Sequence, residues 1–130
     1  MKRALALSTA VALFASPAAA QGEERWVEVA SEGTEVVSID TASVTPLGEG
    51  VYRVWERAVS RGSNDSLVLA RADFDCHLRL TRAVAVALPG FAPTPVSDDE
   101  RQWTEILSGS TYEAEWRRVC STGGPAGAPR

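Results

Sequence analysis

The sequence predicts an α+β fold in which one helix near the C-terminus packs on one face of an antiparallel β-sheet. Short runs rich in β-branched and aromatic residues, separated by turn residues, predict the strands. A segment with helical spacing of apolar residues follows Ser110 and predicts the helix. Cys76 and Cys120, the only cysteines of the chain, fall in a predicted strand and in that helix.

Five runs have the length and composition of β-strands. They cover residues 26–30, 34–40, 51–59, 67–76 and 78–88. No Gly or Pro separates the last two runs, so we expect a bend or bulge near His77 instead of one strand of about 22 residues. Residues 41–50 are predicted to form turns, and residues 91–101 a loop or an irregular sheet edge.

The loop at residues 60–66 predicts a hairpin between the third and fourth runs, and side-chain alternation sets its register. One face of this hairpin is apolar, and the other carries arginine, tryptophan and aspartate. The predicted opposite pairs are Val59–Leu67, Ala58–Val68, Val54–Ala72, Tyr52–Phe74, Trp55–Arg71 and Arg53–Asp73. Glu56 is the exception, because it falls opposite Ala70 on the apolar face, and the sequence assigns it no role.

The predicted helix begins with the capping-box pattern S-x-x-E, in which Ser110 bonds an amide of the first turn and Glu113 reaches back. The side chains predicted to face the sheet are Tyr112, Trp116, Val119 and Cys120. The side chains predicted to fill much of the remaining surface are Glu113, Glu115, Arg117 and Arg118. We therefore expect the aromatic side of the helix to lie on the sheet.

Residues 1–20 have the composition of a secretory signal peptide. Two basic residues precede an apolar run that is too short to span a bilayer, and small residues up to Ala20 place the cleavage site before Gln21. No cysteine follows the cleavage site, so we expect no lipid anchor. The predicted organisation is a signal peptide at 1–20, one domain at 21–120 and a disordered tail at 121–130, in a periplasmic or secreted protein.

Charge and compartment limit the partners and the cysteine chemistry. Loss of Lys2 and Arg3 with the signal peptide changes the net charge from −4 to −6, which disfavours a nucleic-acid partner. An oxidising compartment favours a disulfide between Cys76 and Cys120, which would contribute on the order of 4 kcal/mol. An intermolecular bridge or metal ligation are the alternatives.

The stretch DFDCH, residues 73–77, places two carboxylates, a thiol and the only histidine together, as some metal and hydrolase sites do. Cys76 and His77 point to opposite faces of an extended strand, so they form a poor nucleophilic pair. Asp73 and Asp75 share their face with several arginines, and this favours an ion ladder over a metal site. The arginines of that face are Arg53, Arg57, Arg71 and Arg79.

Catalytic motifs are missing from the sequence. It contains no nucleophile elbow, phosphate-binding loop, zinc-ligand spacing or dinucleotide fingerprint, so we predict no cofactor, no metal and no enzymatic activity. The candidate binding patch surrounds Trp55, because arginine beside an exposed aromatic side chain is typical of recognition surfaces. The patch consists of Arg53, Trp55, Arg57, Arg71 and Asp73.

Several short elements occur in a fixed order over nearly the whole predicted domain. They are Trp26, Ile39-Asp40, YRVWER at 52–57, Asp75-Cys76, Trp103, Ser110 and Val119-Cys120. In this order and spacing the chain resembles the surface-adhesin protein E family of small exported bacterial proteins. The resemblance implies a curved antiparallel sheet of about six strands, with the C-terminal helix tied to its concave face by a Cys76–Cys120 disulfide.

The resemblance also implies an adhesive role, since some members of that family bind host extracellular-matrix and plasma proteins. No adhesive motif matches position by position, so it assigns no binding residues. We expect a non-enzymatic exported binding module that recognises a protein partner, from the bacterial envelope or from a host. A structural or accessory periplasmic envelope protein without a discrete ligand, dimeric through an edge strand, is the alternative. A hydrolase using Asp73, Asp75 and His77 is a weaker one.

Overall fold

Eight strands and one helix make up the computed structural model, which describes residues 25–62, 66–88 and 90–123. The strands are β1 (Trp26–Glu32), β2 (Glu35–Asp40), β3 (Thr45–Gly48), β4 (Val51–Ser60), β5 (Ser66–Asp75), β6 (Leu80–Ala87), β7 (Thr94–Pro95) and β8 (Thr104–Glu105). The helix α1 covers Thr111–Gly123, and a short 3-10 turn covers Thr41–Ser43. The predicted signal peptide and its cleavage site lie outside the described residues.

The strands form one curved antiparallel sheet in the order β1-β2-β4-β5-β6-β7. The short strands β3 and β8 pair with β4 and β6 respectively. The predicted fold class is therefore confirmed, and the main strands coincide with the five predicted runs. The strands β3 and β8 were not predicted, whereas β7 lies at the edge of the sheet within residues 91–101, which were predicted as a loop or an irregular sheet edge.

The register of the β4–β5 hairpin confirms most of the predicted pairs. The observed pairs include Tyr52–Phe74, Arg53–Asp73, Val54–Ala72, Trp55–Arg71, Glu56–Ala70 and Ala58–Val68. The prediction that Val59 faces Leu67 is wrong, because the ladder shifts after Ala58 and Val59 pairs with Ser66. A bulge next to the turn absorbs the extra residue and keeps the rest of the hairpin in register.

The bend predicted near His77 is a turn that separates β5 from β6. Asp75 fixes this turn, because its Oδ1 accepts hydrogen bonds from the amides of His77 (2.9 Å) and Leu78 (2.8 Å). Arg79 follows with a φ of +57°. The chain reverses here, so β5 ends one residue before the predicted boundary and β6 begins two residues after it.

The hydrophobic core lies between α1 and one face of the sheet. We call this side the helix face, defined by Tyr52, Val54, Ala70, Ala72 and Phe74, and the opposite side the arginine face, defined by Arg53, Trp55, Arg57, Arg71 and Asp73. The core residues are Ile39, Tyr52, Val54, Ala72, Phe74, Cys76, Ile106, Trp116, Val119 and Cys120.

A disulfide joins Cys76 to Cys120 across this core, as predicted, with a Cα–Cα distance of 5.7 Å. Trp116 adds a second link, because its Nε1 donates to the buried backbone carbonyl of Asp75 at 3.1 Å. The helix is therefore held to the end of β5 by one covalent bond and one buried hydrogen bond.

The predicted N-cap is confirmed in one half only. Ser110 Oγ accepts from the amide of Glu113 at 3.3 Å, but Glu113 does not reach back. Its carboxylate contacts Arg79 and Arg117 instead, since the turn before β6 brings Arg79 to the start of the helix. The helix continues through Ser121 to Gly123, three residues into the predicted tail, and residues 124–130 lie outside the described part.

Two residues of α1 differ from their predicted burial. Tyr112 is 47% exposed and Glu115 only 2% exposed, whereas Trp116, Val119 and Cys120 are buried as predicted. The buried strip runs through positions 115, 116, 119 and 120, so three of the four predicted positions are confirmed and Glu115 takes the place of Tyr112 at the edge of the strip. No helix in the described ranges has the length and apolar character needed to cross a membrane.

Candidate functional site

Asp73 is the centre of the arginine face and is completely buried. Arg53 binds it with two hydrogen bonds, Nε to Oδ1 at 2.7 Å and Nη2 to Oδ2 at 3.0 Å. Arg82 from β6 donates its Nε to Oδ2 at 3.0 Å. The hydrogen bond to Asp73 raises the pKa of Arg53. Asp73 is thus matched by two guanidinium groups, which confirms the predicted Arg53–Asp73 pair and gives this carboxylate a structural role.

Tryptophan rings and arginines alternate around this ion cluster. The guanidinium carbon of Arg71 lies 5.5 Å from the centre of the Trp55 ring, and that of Arg57 lies 4.5 Å from the Trp26 ring. Sequence reasoning did not find that Trp26 and Arg57 stack, because the contact depends on the pairing of β1, β2 and β4. A planar cation over an aromatic ring is a favourable contact that leaves the edges of both groups available.

A third stack extends the arginine face toward β8. Arg82 lies 4.3 Å from the Trp103 ring, and Trp103 is 36% exposed. The pairing of β8 with β6 brings this tryptophan to the sheet. The sequence carried no local signal for the contact, since Trp103 and Arg82 lie in separate segments.

Arg71 differs from its neighbours on this face. The structure gathers all five residues of the predicted patch on β4 and β5, but Arg53 is occupied by Asp73. In the described ranges no carboxylate pairs with Arg71, and its guanidinium group contacts the Trp55 ring. Arg71 and Trp55 are both partly accessible, so this stack is the part of the patch that offers an unmatched cation.

The DFDCH stretch is distributed over separate environments. Asp73 is ion-paired, Asp75 binds turn amides, and Cys76 is in the disulfide. His77 is exposed beside Gly50, where an added methyl group would lie 2.3 Å from the imidazole Cδ2. Over the parts of the chain that the structure describes, no group of three or more His, Cys, Asp or Glu side chains could hold a metal ion.

The predicted ion ladder is wrong for Asp75 and Arg79. The Oδ1 atom of Asp75 accepts hydrogen bonds from the amides of the turn, and Arg79 does not lie on the arginine face. The positive φ of Arg79 directs this residue to the helix, where it contacts Glu113 and lies 5.3 Å from the Trp116 ring. The ladder therefore consists of Arg53, Asp73 and Arg82.

Glu56 has the partner that the sequence did not reveal. On the helix face of β4 it meets Glu115 of α1, and the Oε2 atoms of both side chains are buried without a donor from the described residues. Burial, and then the contact with Glu56, raise the pKa of Glu115 to about 10. Glu115 is therefore protonated at neutral pH and shares its proton with Glu56.

Two adjoining cavities meet at Glu56 and Tyr112 on the helix face. The first, of about 240 Å³, lies between the first turn of α1 and strands β2, β4 and β5. The second, of about 250 Å³, continues toward β6 and β8. Small side chains leave this space open, and they are Ala58, Ala70, Ala72 and Ala83. Burial, and then Glu56 and Glu115, raise the pKa of Tyr112.

Comparison with known proteins adds no relative to this description. No family model, no curated protein and no solved structure matches the chain. The resemblance to the surface-adhesin protein E family stays a prediction. Functional proposals therefore rest on the geometry of the two faces.

Proposed function

We propose that the chain is an exported, non-catalytic binding module that recognises a protein partner through the arginine face. The observation that carries this proposal is the Arg71–Trp55 stack, a partly accessible cation without a carboxylate among the described residues. Arginine and tryptophan side chains dominate the energetics of many protein interfaces. A carboxylate of the partner would accept two hydrogen bonds from the guanidinium group of Arg71, while the apolar atoms of the same acidic side chain pack on Trp55.

The surroundings of the stack support a preorganised surface. Arg53 and Arg82 hold the buried Asp73 between them, so the strands that present Arg71 are fixed from both sides. A rigid surface loses less conformational entropy on binding than a mobile one. The chain as a whole carries a net charge of −4, so this cationic face is a local feature that would orient an acidic partner.

The separation of the side chains that a hydrolase would need supports a non-catalytic protein. A hydrolase built on Asp73, Asp75 and His77 requires a carboxylate within hydrogen-bonding reach of the histidine side chain. Asp73 is instead enclosed by arginines, and Asp75 Oδ1 accepts the backbone amide of His77. Asp73 and Asp75 therefore serve the fold, and they do so in different places.

Export is part of the proposal. Residues 1–20 resemble a signal peptide, and the Cys76–Cys120 disulfide suits an oxidising compartment. We propose cleavage after Ala20 and a periplasmic or secreted product with an adhesin-like role. Mass spectrometry of the protein from its native envelope is expected to find Gln21 at the N-terminus.

A capture experiment tests the binding function. The wild type, the Trp55→Ala/Arg71→Ala variant and an Arg118→Ala control are immobilised and exposed to envelope extract. Arg118 is an exposed arginine of α1 and lies outside the arginine face. The partner, identified by mass spectrometry and then purified, is expected to bind the wild type and the control equally and the double variant at least about tenfold more weakly. Equal binding by all three proteins would overturn the proposal.

A further inference from the structure

We propose that the cavity between the first turn of α1 and strands β4 and β5 binds an organic cation, an ammonium or guanidinium group on a short apolar stem. This site lies on the helix face, so it is separate from the surface of the proposed partner. Three features support it: the charge of the cavity wall, the unmatched buried oxygens and the apolar floor.

The wall of the cavity is acidic. Glu35, Glu56 and Glu115 line it from β2, β4 and α1. Arg57 also borders the cavity, but its guanidinium carbon lies 4.5 Å over the Trp26 ring on the arginine face. Glu56 and Glu115 share one proton and keep one negative charge between them at neutral pH. A cation entering the cavity meets this charge in a setting that is partly shielded from water, where the attraction is stronger than at an open surface.

The buried oxygens require donors. Glu115 is 2% exposed, and its Oε2 and that of Glu56 accept no hydrogen bond from an N–H or O–H group of the described chain. The hydrogen bond between the two carboxyl groups therefore uses other oxygen lone pairs and leaves both Oε2 atoms without a donor. Buried carboxylate oxygens without donors are destabilising, whereas an ammonium or guanidinium group provides several N–H donors at once. A cationic ligand therefore satisfies both the charge and the hydrogen-bonding capacity of the pair.

The shape and floor of the cavity suit an apolar stem. Ala58, Val68 and Ala70 form the floor, and Val68 is 39% exposed. The ring of Tyr112 borders the opening and is 47% exposed, so it is available to cover a cation or its stem. The volume of about 240 Å³ is several times that of a water molecule, about 30 Å³. It admits a short alkyl chain with its head group.

Calorimetric titration of the purified, disulfide-bonded protein with n-butylguanidinium chloride at neutral pH tests the site. The expected result is saturable binding of n-butylguanidinium and none of n-butanol, which has a similar stem without the charge. Glu56→Gln is expected to weaken binding at least about tenfold, because the amide removes the charge and preserves the shape. Asp99→Asn removes one acid from an exposed turn outside both cavities and is expected to leave the affinity within about twofold.

One further variant and one further ligand complete the titration experiment. Ala70→Leu fills the floor without changing any charge and is expected to abolish binding, provided that its thermal unfolding stays cooperative. A capped arginine tripeptide that binds at least as tightly as n-butylguanidinium assigns the occupant to a basic side chain, and weaker peptide binding assigns it to a free small cation. Equal affinity of Glu56→Gln and wild type, or saturation by n-butanol, would overturn the proposal.

Discussion

At the scale of single residues, the Glu56–Glu115 pair joins strand β4 to helix α1 through one proton. Burial, and then the contact with Glu56, raise the pKa of Glu115 to about 10. The other titratable or charged groups that line the two cavities beside the pair are Glu35, Arg57, Arg82, Glu100, Glu105 and Tyr112. At neutral pH the proton on Glu115 is part of the folded structure, because two ionised carboxylates would repel each other in a buried position.

This proton predicts a specific pH dependence. Unfolding returns Glu115 to an ordinary pKa of about 4.5, so between about pH 5 and pH 10 the folded state binds one proton more than the unfolded state. The free energy of unfolding therefore falls as pH rises through this window, by up to about 1.4 kcal/mol per pH unit. Glu115→Gln keeps a neutral side chain at all pH values and is expected to remove this slope.

Urea unfolding near pH 5, 7 and 9 measures the effect. The difference between wild type and Glu115→Gln isolates the contribution of Glu115 from that of all other groups. Glu32→Gln, at an exposed position on β1, is expected to keep the wild-type slope. Parallel pH profiles of the wild type and Glu115→Gln would show that no proton is held by the pair.

The sequence predicted the position of only one member of the Glu56–Glu115 pair. Alternation along β4 placed Glu56 on the apolar face, which was correct but unexplained. Glu115 was assigned to the solvated side, because the helical phase was set by Tyr112, a residue that the structure leaves half exposed. Tyr112 and Glu115 lie only about 60° apart around the helix axis, and packing against the sheet decides which of the two is covered.

At the scale of elements, the attachment of α1 to the sheet is concentrated at the end of β5. The Cys76–Cys120 disulfide and the hydrogen bond from Trp116 to the Asp75 carbonyl lie at this point. The contact of Glu113 with Arg79 adds an ion pair at the helix start. Because Glu115 lies between these links along the helix, its position over Glu56 depends on them.

Removal of the disulfide is expected to lower the free energy of unfolding by about 2–5 kcal/mol, since the unfolded chain loses a constraint over a long loop. Urea unfolding of the wild type with and without dithiothreitol measures the loss, and the Cys76→Ala/Cys120→Ala variant serves as the control. The variant should be insensitive to the reductant and match the reduced wild type. A loss below about 1 kcal/mol would contradict the role of this bond.

Strong local sequence patterns predicted the long strands and the helix, whereas the shortest strands depend on long-range pairing. The β4–β5 register followed from alternating side chains over ten-residue strands. The bounds and pairing of the two-residue strands β7 and β8 could not be predicted, because strands of this length have no periodicity and exist only through pairing with β6. The turn at residues 76–79 was predicted as a bend, but its fixation by Asp75 was not.

At the scale of the whole molecule, the sheet separates two surfaces of opposite chemistry. The arginine face presents the stacked Arg71 and Trp55, and the helix face contains an acidic cavity that is partly open to solvent. Alternation along β4 and β5 predicted the five patch residues together. The stacks with Trp26 and Trp103 depend on strands far apart in sequence, so they could not be predicted from local spacing.

The central claim is that Arg71 on the arginine face binds an acidic protein partner. The most direct measurement is the affinity of the purified partner for wild type, Arg71→Glu and the control Arg118→Glu at fixed ionic strength. Reversal of a charge at the contact is expected to weaken binding at least about thirtyfold, or roughly 2 kcal/mol, while the control retains its affinity within about threefold. An unchanged affinity of Arg71→Glu would contradict the claim.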